Sequence, residues 1–428
     1  MQGCSCPFPA GTDVTILDRL PDRSGLDRLW SILPQARLVG GSVRDLLLGG
    51  QDVHDLDLAT PEPPERVQAL LEAAGVKTIP TGLSHGTITA LIARVPYEIT
   101  TLRRDITTDG RHAEVVWTTD WQEDAARRDF TINALFCDRH GAIHDYFGGQ
   151  NDLKAHRLRF VGDAGQRIEE DALRILRFFR FDARFGSAKP DEEAMSAIRA
   201  RAGLIVGLSA ERLASEMLRI LTGPHLMRTL AHMNEAGILA PIVPDARLER
   251  LAAALDNRLP EDGLLRLGVL SDAPDLAKKL RLSGKQSERL ARMNPANRLT
   301  SFDGDGAVMP EAALLAPDLT DDALRKLLSC HPKESLMDRS WFAQVECGDR
   351  DQSSWDMFRA RLATMVVPVF PLSGRDVVAL GVPAGKDIGL LMGVVTRWWR
   401  ANGCLPDREA CLAQLKNALP LSPQGCEG

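Results

Sequence analysis

Residues 38–60 read LVGGSVRDLLLGGQDVHDLDLAT, a run that predicts a strand, a glycine turn, a short helix, a loop and a second strand. The second strand carries Asp55 and Asp57, one residue apart. Because side chains alternate along a strand, both aspartates project to one side with Cα atoms roughly 6.5 Å apart. Leu56 and Leu58 then point the other way, into a core. Two carboxylates on one face can converge on a divalent metal ion.

The same stretch offers a place for phosphate at its glycine turn. Gly40 and Gly41 follow an apolar strand, so the backbone N–H groups can approach an anion closely, and the positive end of the next helix points at them. Arg44 lies away from the apolar stripe of that helix, where we expect it to be free to hold a phosphate. The stripe consists of Val43, Leu46 and Leu47.

Each of these motifs has an ordinary structural explanation when it is taken alone. A Gly-Gly pair precedes many helices, and Asp-x-Asp is common in calcium loops and acidic turns. In the order GGxVRDxLLG and then DxDxAT, they closely resemble the first signature of the class II tRNA nucleotidyltransferase and bacterial poly(A) polymerase family, within the DNA polymerase β superfamily. The resemblance implies a mixed α/β nucleotidyltransferase head in which Asp55 and Asp57 hold two Mg²⁺ ions.

The composition is that of an ordinary globular chain. Its 428 residues suggest about three domains, and 44% are hydrophobic and 26% charged. No apolar run reaches the roughly 18 residues that span a bilayer, and no signal peptide is evident, so we expect a cytoplasmic protein. The eight cysteines form no CxxC pair and are expected to be reduced thiols. The net charge of −6 does not indicate nucleic-acid binding, although a few basic side chains on one surface would suffice for it.

Two β-branched segments, residues 87–93 and 97–102, predict an antiparallel pair of strands. The pattern breaks at residues 103–114, where charged residues and Asp109-Gly110 predict a loop. A solvated surface loop is the simple explanation. In the family that the chain resembles, a similar segment is a mobile loop beside the active site that takes part in switching from C to A addition. We therefore favour a functional loop at residues 103–114.

Residues 124–138 read DAARRDFTINALFCD. As a helix, this segment would place Asp129 and Asn133 on one face, a pair suited to the vicinal hydroxyls of a sugar. An exposed helix with ion pairs is the alternative. RRDFTINAL is similar to the second signature of the family, which implies that Arg128 contacts the nucleotide and that Asp129 and Asn133 contact the ribose. The alternative role for Asp129 is to assist the two metal ions.

Residues 169–180 read EEDALRILRFFR and have the apolar spacing of one amphipathic helix. Asp171 and Arg174 would lie one turn apart on its polar face, and Arg177 and Arg180 would extend the line over roughly 13 Å. An ionised aspartate accepts hydrogen bonds and an arginine donates them, and cytosine and adenine each present an amino donor beside a ring-nitrogen acceptor. Uracil and guanine present the reverse order, a carbonyl acceptor beside a ring N–H donor. Their binding would leave buried groups unpaired, and each unpaired group would cost about 1–3 kcal/mol.

A helix with i, i+3 ion pairs on its exposed face would show the same pattern without reading any base. The segment resembles the EDxxRxxR signature of the family. That resemblance implies that Asp171 and Arg174 read the base and that Arg177 and Arg180 contact the nucleotide. The protein would then replace a nucleic-acid template.

The rest of the chain predicts helices broken by proline and glycine. Gly148 and Gly149, in a segment that resembles the third element of the family, form either a hinge between head and neck or a plain turn. The expected domains are a catalytic head (1–150), a helical neck with the base-reading helix (151–223), a helical body (224–330) and a helical, tRNA-binding tail (331–428).

The resemblance implies template-independent addition of C, C and A to the 3′ end of tRNA from CTP and ATP, with release of pyrophosphate. Bacterial poly(A) polymerase activity, or addition of only A or only CC, is the alternative. A non-catalytic RNA-binding scaffold is a distant one, since both aspartates of the first signature are intact. No HxxxHD arrangement occurs in the C-terminal half, so we do not expect a fused phosphohydrolase domain.

Overall fold

The computed structural model describes residues 15–50, 56–82, 86–108, 113–293, 315–348 and 351–419. It divides into two compact units, Met1–Ile242 and Val243–Gly428. The finer division into head, neck, body and tail stays a prediction. Of the helices in the described part of the chain, none combines the length and the apolar composition that crossing a bilayer requires.

The first unit contains the strands of the described chain. They are β1 (Arg37–Val39), β2 (Leu56–Thr60), β3 (Lys77–Gly82), β4 (Thr87–Ile92), β5 (Val95–Thr101), β6 (Arg103–Thr108), β7 (Ala113–Trp117), β8 (Leu135–Cys137) and β9 (Ile143–Asp145). Seven of them form one mixed sheet in the order β3-β4-β5-β2-β1-β8-β9. In this sheet β2 and β5 run parallel, and the other paired strands are antiparallel.

Helices surround this sheet and continue beyond it in the first unit. They are α1 (Ser24–Ile32), α2 (Gly41–Leu47), α3 (Pro64–Ala73), α4 (Trp121–Ala126), α5 (Gly149–Lys154), α6 (Ala164–Glu170), α7 (Leu173–Phe185), α8 (Glu192–Arg201), α9 (Ala210–Ile220), α10 (Leu226–Glu235) and α11 (Leu239–Ile242). The predicted class, an α/β head followed by helices, is confirmed for the described residues.

The strand, turn, helix and strand predicted for residues 38–60 are confirmed. Leu56 and Leu58 are buried on one face of β2, and Asp57 lies on the other face. Gly40 has a φ of 66°, a left-handed conformation that glycine adopts at no steric cost, so the chain can turn sharply from β1 into α2. Asp55 lies outside the described residues. The predicted stripe of α2, formed by Val43, Leu46 and Leu47, is buried.

The loop predicted at residues 103–114 is wrong in its secondary structure. β6 and β7 pair with each other as a separate two-stranded sheet, with Arg103 opposite Trp117 and Asp105 opposite Val115. The β-branched residues on both sides of Asp109-Gly110 favour such a pair of strands. Residues 109–112 lie outside the described residues, and the functional role of the segment stays a prediction.

The single helix predicted over residues 169–180 is also wrong, because two helices meet there. Asp171 has an extended backbone (φ −153°, ψ 104°) and separates α6 from α7. Its carboxylate accepts a hydrogen bond from the N–H of Leu173 (3.0 Å), the first residue of α7. An aspartate before a helix satisfies one of the free N–H groups of the first turn, so the break is stabilised locally.

Residues 124–138 do not form the predicted single helix either. α4 ends early, and Phe130 pairs instead with Phe160 in an isolated β-bridge. The hydroxyl of Thr131 donates to the buried carboxylate of Asp152 (2.7 Å), and a short 3₁₀ turn follows. These contacts with distant parts of the chain outweigh the local helical pattern.

The described part of the second unit is helical. Its helices are α12 (Leu248–Asp256), α13 (Gly263–Leu270), α14 (Leu276–Lys279), α15 (Gly284–Met293), α16 (Asp321–Leu328), α17 (Lys333–Glu346), α18 (Gln352–Thr364), α19 (Gly374–Ala379), α20 (Lys386–Ala401) and α21 (Arg408–Ala418). One core is centred on Trp355 and Phe358, and another on Val395 and Trp399.

The two glycines predicted to be a hinge or a turn have separate structural reasons to be glycine. Gly148 has a φ of 78°. A Cβ added to Gly149 would lie 2.1 Å from the carbonyl oxygen of Thr131, a backbone atom that cannot move aside easily. A plain turn with a close backbone approach therefore accounts for both residues, and the hinge stays a prediction.

We expect Gly149→Ala to destabilise the protein by about 1–3 kcal/mol, because the added methyl group overpacks against the backbone at Thr131. Thermal or urea unfolding measures this. Gly203→Ala is the matched control, since no atom lies within 4 Å of the added Cβ at that position. Equal stability of the two variants would contradict the close approach.

Candidate active site

Asp57 lies where the glycine turn meets the central strands. Its backbone N–H donates to the hydroxyl of Ser42 at the start of α2 (3.0 Å). On the parallel neighbour β5, Glu98 stands directly opposite Asp57 in register, and its side chain is exposed. Because residues in register on parallel strands project to the same face, the two carboxylate side chains extend from one face of neighbouring strands, whose backbones lie about 4.8 Å apart. Such a set of oxygen atoms is suited to Mg²⁺.

Two guanidinium groups flank the glycine pair of the turn. A Cβ placed on Gly40 would lie 3.5 Å from Nη1 of Arg128, and one placed on Gly41 would lie 3.5 Å from Nη2 of Arg44. The turn thus combines two residues without side chains and two positive charges. This combination can accommodate a phosphate group close to the backbone.

The expectation that Arg44 is free is wrong, because the side chain is buried and has several partners. Its Nε and Nη2 donate to Asp45 (2.9 and 3.1 Å), and its Nη1 donates to Oδ1 of Asn133 (2.5 Å). The guanidinium also lies over the rings of Phe185 and Phe181, with centroid distances of 4.5 and 5.3 Å. The helical stripe predicted which face of α2 is buried, but it could not show that helix α7 covers Arg44.

Asp129 is the centre of a buried hydrogen-bond network. Its Oδ1 accepts from the N–H of Phe130 (2.8 Å) and from Nδ2 of Asn133 (3.2 Å), and its Oδ2 accepts from Nε of Arg177 in α7 (2.7 Å). Burial raises the pKa of Asp129. The nearby Arg177 guanidinium lowers this pKa by more than burial raises it, so the pKa lies below its ordinary value. The predicted proximity of Asp129 and Asn133 is thus observed in a turn, where we expected a helix.

Asp124 is the acidic partner of Arg128. Its Oδ2 accepts from Nη2 of Arg128 (2.9 Å), and its Oδ1 accepts from Nε of Arg127 (2.8 Å) and from the backbone N–H of Arg103 (3.3 Å). The guanidinium of Arg128 also lies over the ring of Phe136. A single buried carboxylate therefore links Arg128 to the first residue of the β6–β7 pair.

Asp171 and Arg174 remain neighbours across the break between α6 and α7. The N–H of Arg174 donates to the carbonyl oxygen of Asp171 (3.0 Å). Each side chain is held by a partner: Oδ2 of Asp171 accepts from Nη2 of Arg212 (2.7 Å), and Nη1 of Arg174 donates to Glu170 (2.6 Å). The two groups are fixed in position, but they do not lie on one continuous helix as predicted.

The three predicted arginines, Arg174, Arg177 and Arg180, keep their spacing in α7, but each is paired with an acid from a different element. Arg174 contacts Glu170 of α6, Arg177 contacts Asp129, and Nη1 of Arg180 donates to Glu216 of α9 (3.3 Å). Burial lowers the pKa of Arg180, although Glu216 acts in the opposite direction.

Sequence reasoning did not single out several residues of this site. Alternation along YEITT gives a usable signal for Glu98, because it lies between the buried Tyr97 and Ile99. Asp124 could have been found from its i, i+3 and i+4 spacing to Arg127 and Arg128. No local pattern indicates the contacts that Phe181, Phe185 and Glu216 make with residues distant in sequence.

The ionisation of Asp124 gives a prediction for acid stability. Burial raises the pKa of this carboxyl, but Arg128 and Arg127 together lower it below the ordinary value of 3.8. The ionised form therefore stabilises the fold above about pH 4, and this contribution is lost as the pH falls through the lower, folded-state pKa. At pH 7 we expect Asp124→Asn to cost about 3 kcal/mol, because two buried guanidinium groups lose their anionic partner.

Thermal unfolding from pH 7 down to about pH 3 tests this. The difference in Tm between wild type and Asp124→Asn should be largest near neutral pH and shrink below about pH 4. Asp27→Asn is the control, because Asp27 forms an exposed pair with Arg23 and should change Tm little. A difference between wild type and Asp124→Asn that is constant over this pH range would contradict the assignment.

Two family models and a solved structure match this chain. Residues 36–159 match the family model of the poly A polymerase head domain, and residues 189–248 match that of a probable RNA and SrmB-binding site of polymerase A. The CCA-adding enzyme of Bacillus stearothermophilus, solved in complex with CTP, superposes with a TM-score of 0.70 at 26% identity over 92% of this chain and 98% of that one.

Curated relatives extend the match over most of the chain. The CCA-adding enzyme of Oceanobacillus iheyensis is 39% identical over 228 residues, which are 52% of this chain and 55% of that enzyme. The human mitochondrial CCA tRNA nucleotidyltransferase 1 is 35% identical over 397 residues, which are 89% of this chain and 86% of that protein. On this evidence the chain belongs to the family of CCA-adding tRNA nucleotidyltransferases.

Proposed function

We propose that this protein adds C, C and A to the 3′ end of tRNA, using CTP and ATP and releasing pyrophosphate. The observation that carries the proposal is the position of the glycine turn. Arg44 and Arg128 flank it, and Ser42, the residue after it, accepts a hydrogen bond from the backbone N–H of Asp57. A triphosphate bound at this turn would have its reacting phosphate next to the carboxylates of the central strands. Nucleotidyl transfer requires this proximity.

Asp57 and, from the sequence, Asp55 are the proposed Mg²⁺ ligands, and Glu98 is a candidate for a third. The in-register position of Glu98 beside Asp57 fits a metal site, since both offer oxygen atoms on one face of the sheet. Bound Mg²⁺ supplies positive charge to the triphosphate and lowers the pKa of the primer 3′-hydroxyl.

The chain itself positions the nucleotide. Gly40 and Gly41 allow the phosphates to approach the backbone, and Arg44 and Arg128 donate to the phosphate oxygens. A guanidinium has five N–H donors, and the bonds to Asp45 and Asn133 described above engage three of those of Arg44.

We propose that Asn133 and Arg177 contact the ribose and phosphates, and that Asp129 aligns both of them. The sequence predicts either a direct contact of Asp129 with the ribose or assistance to the metal ions. The two carboxylate oxygen atoms of Asp129 accept four hydrogen bonds, two from Arg177 and one each from Asn133 and the N–H of Phe130. Four bonds are about the full capacity of a carboxylate, which favours an aligning role. Arg180, held by Glu216, completes the positive side of α7.

Base selection is assigned to Asp171 and Arg174. Arg212 and Glu170 hold the two side chains, so they present a fixed acceptor and a fixed donor without having to be ordered by each incoming nucleotide. Carboxylate oxygens accept more than one hydrogen bond, so Asp171 can accept from the amino group of cytosine or adenine while it is bound to Arg212.

Two further predictions from the sequence accompany this function. The helical second unit is proposed to bind the tRNA, through shape and backbone contacts that need no base reading. The cytoplasmic location predicted from the sequence stays a prediction.

We expect tRNA that lacks its terminal CCA to grow by three nucleotides in the presence of CTP and ATP. Incorporation of labelled ATP should depend on added CTP, and UTP and GTP should not be incorporated, because they reverse the order of donor and acceptor. Gel electrophoresis of the labelled products measures this. Incorporation of A that is unaffected by omitting CTP would favour poly(A) polymerase or A-only activity and would overturn the proposal.

Asp57→Asn keeps the shape of the side chain but removes its charge, so addition should fall to background while tRNA binding persists. Asp55→Asn should behave alike. Asp27→Asn, the same change at the exposed pair with Arg23, should leave addition at the wild-type rate. Substantial turnover by Asp57→Asn would contradict its assignment as a metal ligand.

A further inference from the structure

The buried guanidinium of Arg44 is covered by two aromatic rings from the C-terminal part of α7. Its central carbon lies 4.5 Å from the ring centroid of Phe185 and 5.3 Å from that of Phe181. The two rings are nearly parallel to each other, with centroids 6.1 Å apart. A cation within about 6 Å of an aromatic ring is attracted to its face, more strongly when water is excluded. Arg44 is only 6% exposed, so this contact is well desolvated.

A second set of contacts, made of hydrogen bonds, also connects Arg44 at the glycine turn with α7. From Arg44 the hydrogen bonds pass to Asn133, then to Asp129 and then to Arg177. Arg177 in turn lies 5.8 Å from the ring of Phe181, which stacks on Phe185. Arg44 is therefore held by hydrogen bonds along the edge of its guanidinium group and by aromatic rings over its face.

We infer that Phe185 is a positioning residue for nucleotide binding, which holds the Arg44 guanidinium against the phosphate-binding turn. This inference rests on the proposed function, because it takes Arg44 as a ligand of the triphosphate. The rings limit the conformations of a long, flexible side chain before the nucleotide arrives, and less entropy is then lost on binding.

Because Phe185 contacts Arg44 of the proposed phosphate site, we expect it to affect the KM for both nucleotides. The triphosphate is common to CTP and ATP, whereas the bases differ and are read by Asp171 and Arg174. Loss of the Phe185 ring should therefore weaken the binding of CTP and the binding of ATP by the same factor. A residue that served only core packing would lower stability and leave the KM of the folded enzyme unchanged.

The test compares Phe185→Leu, Phe185→Tyr and wild type. Leucine fills similar space without an aromatic face, and tyrosine keeps that face. The KM and kcat for CTP are measured with tRNA lacking CCA, those for ATP with tRNA ending in CC, and Tm is measured for every variant. Phe342→Leu is the matched control, because Phe342 is a buried ring that faces Arg250 at 5.7 Å in the second unit.

We expect Phe185→Leu to raise KM for CTP and for ATP alike, by about five- to tenfold, with kcat within about twofold of wild type. Phe185→Tyr should restore wild-type KM, and Phe342→Leu should leave it unchanged. An unchanged KM in Phe185→Leu, or an increase for one nucleotide only, would overturn the inference. If wild type itself adds nothing to either RNA, the proposed function fails instead, so the two failures are distinguishable.

Discussion

The buried ion pair between Asp129 and Arg177 connects the two parts of the site. Asp129 is 8% exposed and follows α4 of the head, whereas Arg177 lies in the middle of α7. A charge removed from water to this degree is tolerated only when it is paired and hydrogen-bonded, and loss of one partner from such a pair typically costs about 3–5 kcal/mol. The pair therefore fixes α7 against the residues beside the glycine turn.

The other polar contacts of α7 depend on this placement. With α7 fixed, Arg174 reaches Glu170, Arg180 reaches Glu216, and the rings at the end of the helix cover Arg44. The acids orient the arginines before any substrate binds, which a solvent-exposed row of arginines would not achieve. Helix α7 thus carries both Arg174, one of the two proposed base-reading residues, and the aromatic rings that cover Arg44 of the proposed phosphate site.

The sequence predicted what depends on local spacing. The strand and helix periods of residues 38–60 placed Leu58 and Val43 in the core, and the resemblance to known signatures selected residues that lie together, such as Asp129 and Asn133. It could not predict contacts made across the fold. The helix expected over residues 169–180 breaks because Asp171 is bonded to Leu173 and to Arg212, and the second of these residues is distant in sequence. Arg44 is buried for the same reason, since its partners come from other elements.

The most direct test of selection by the protein alone is an equilibrium titration with CTP, ATP, UTP and GTP in the absence of RNA. We expect CTP and ATP to bind with similar Kd and UTP and GTP at least about tenfold more weakly, because each mismatched buried group costs about 1–3 kcal/mol. Asp171→Asn should reduce this difference. Equal binding of UTP and CTP by the wild-type protein would contradict base reading by Asp171 and Arg174.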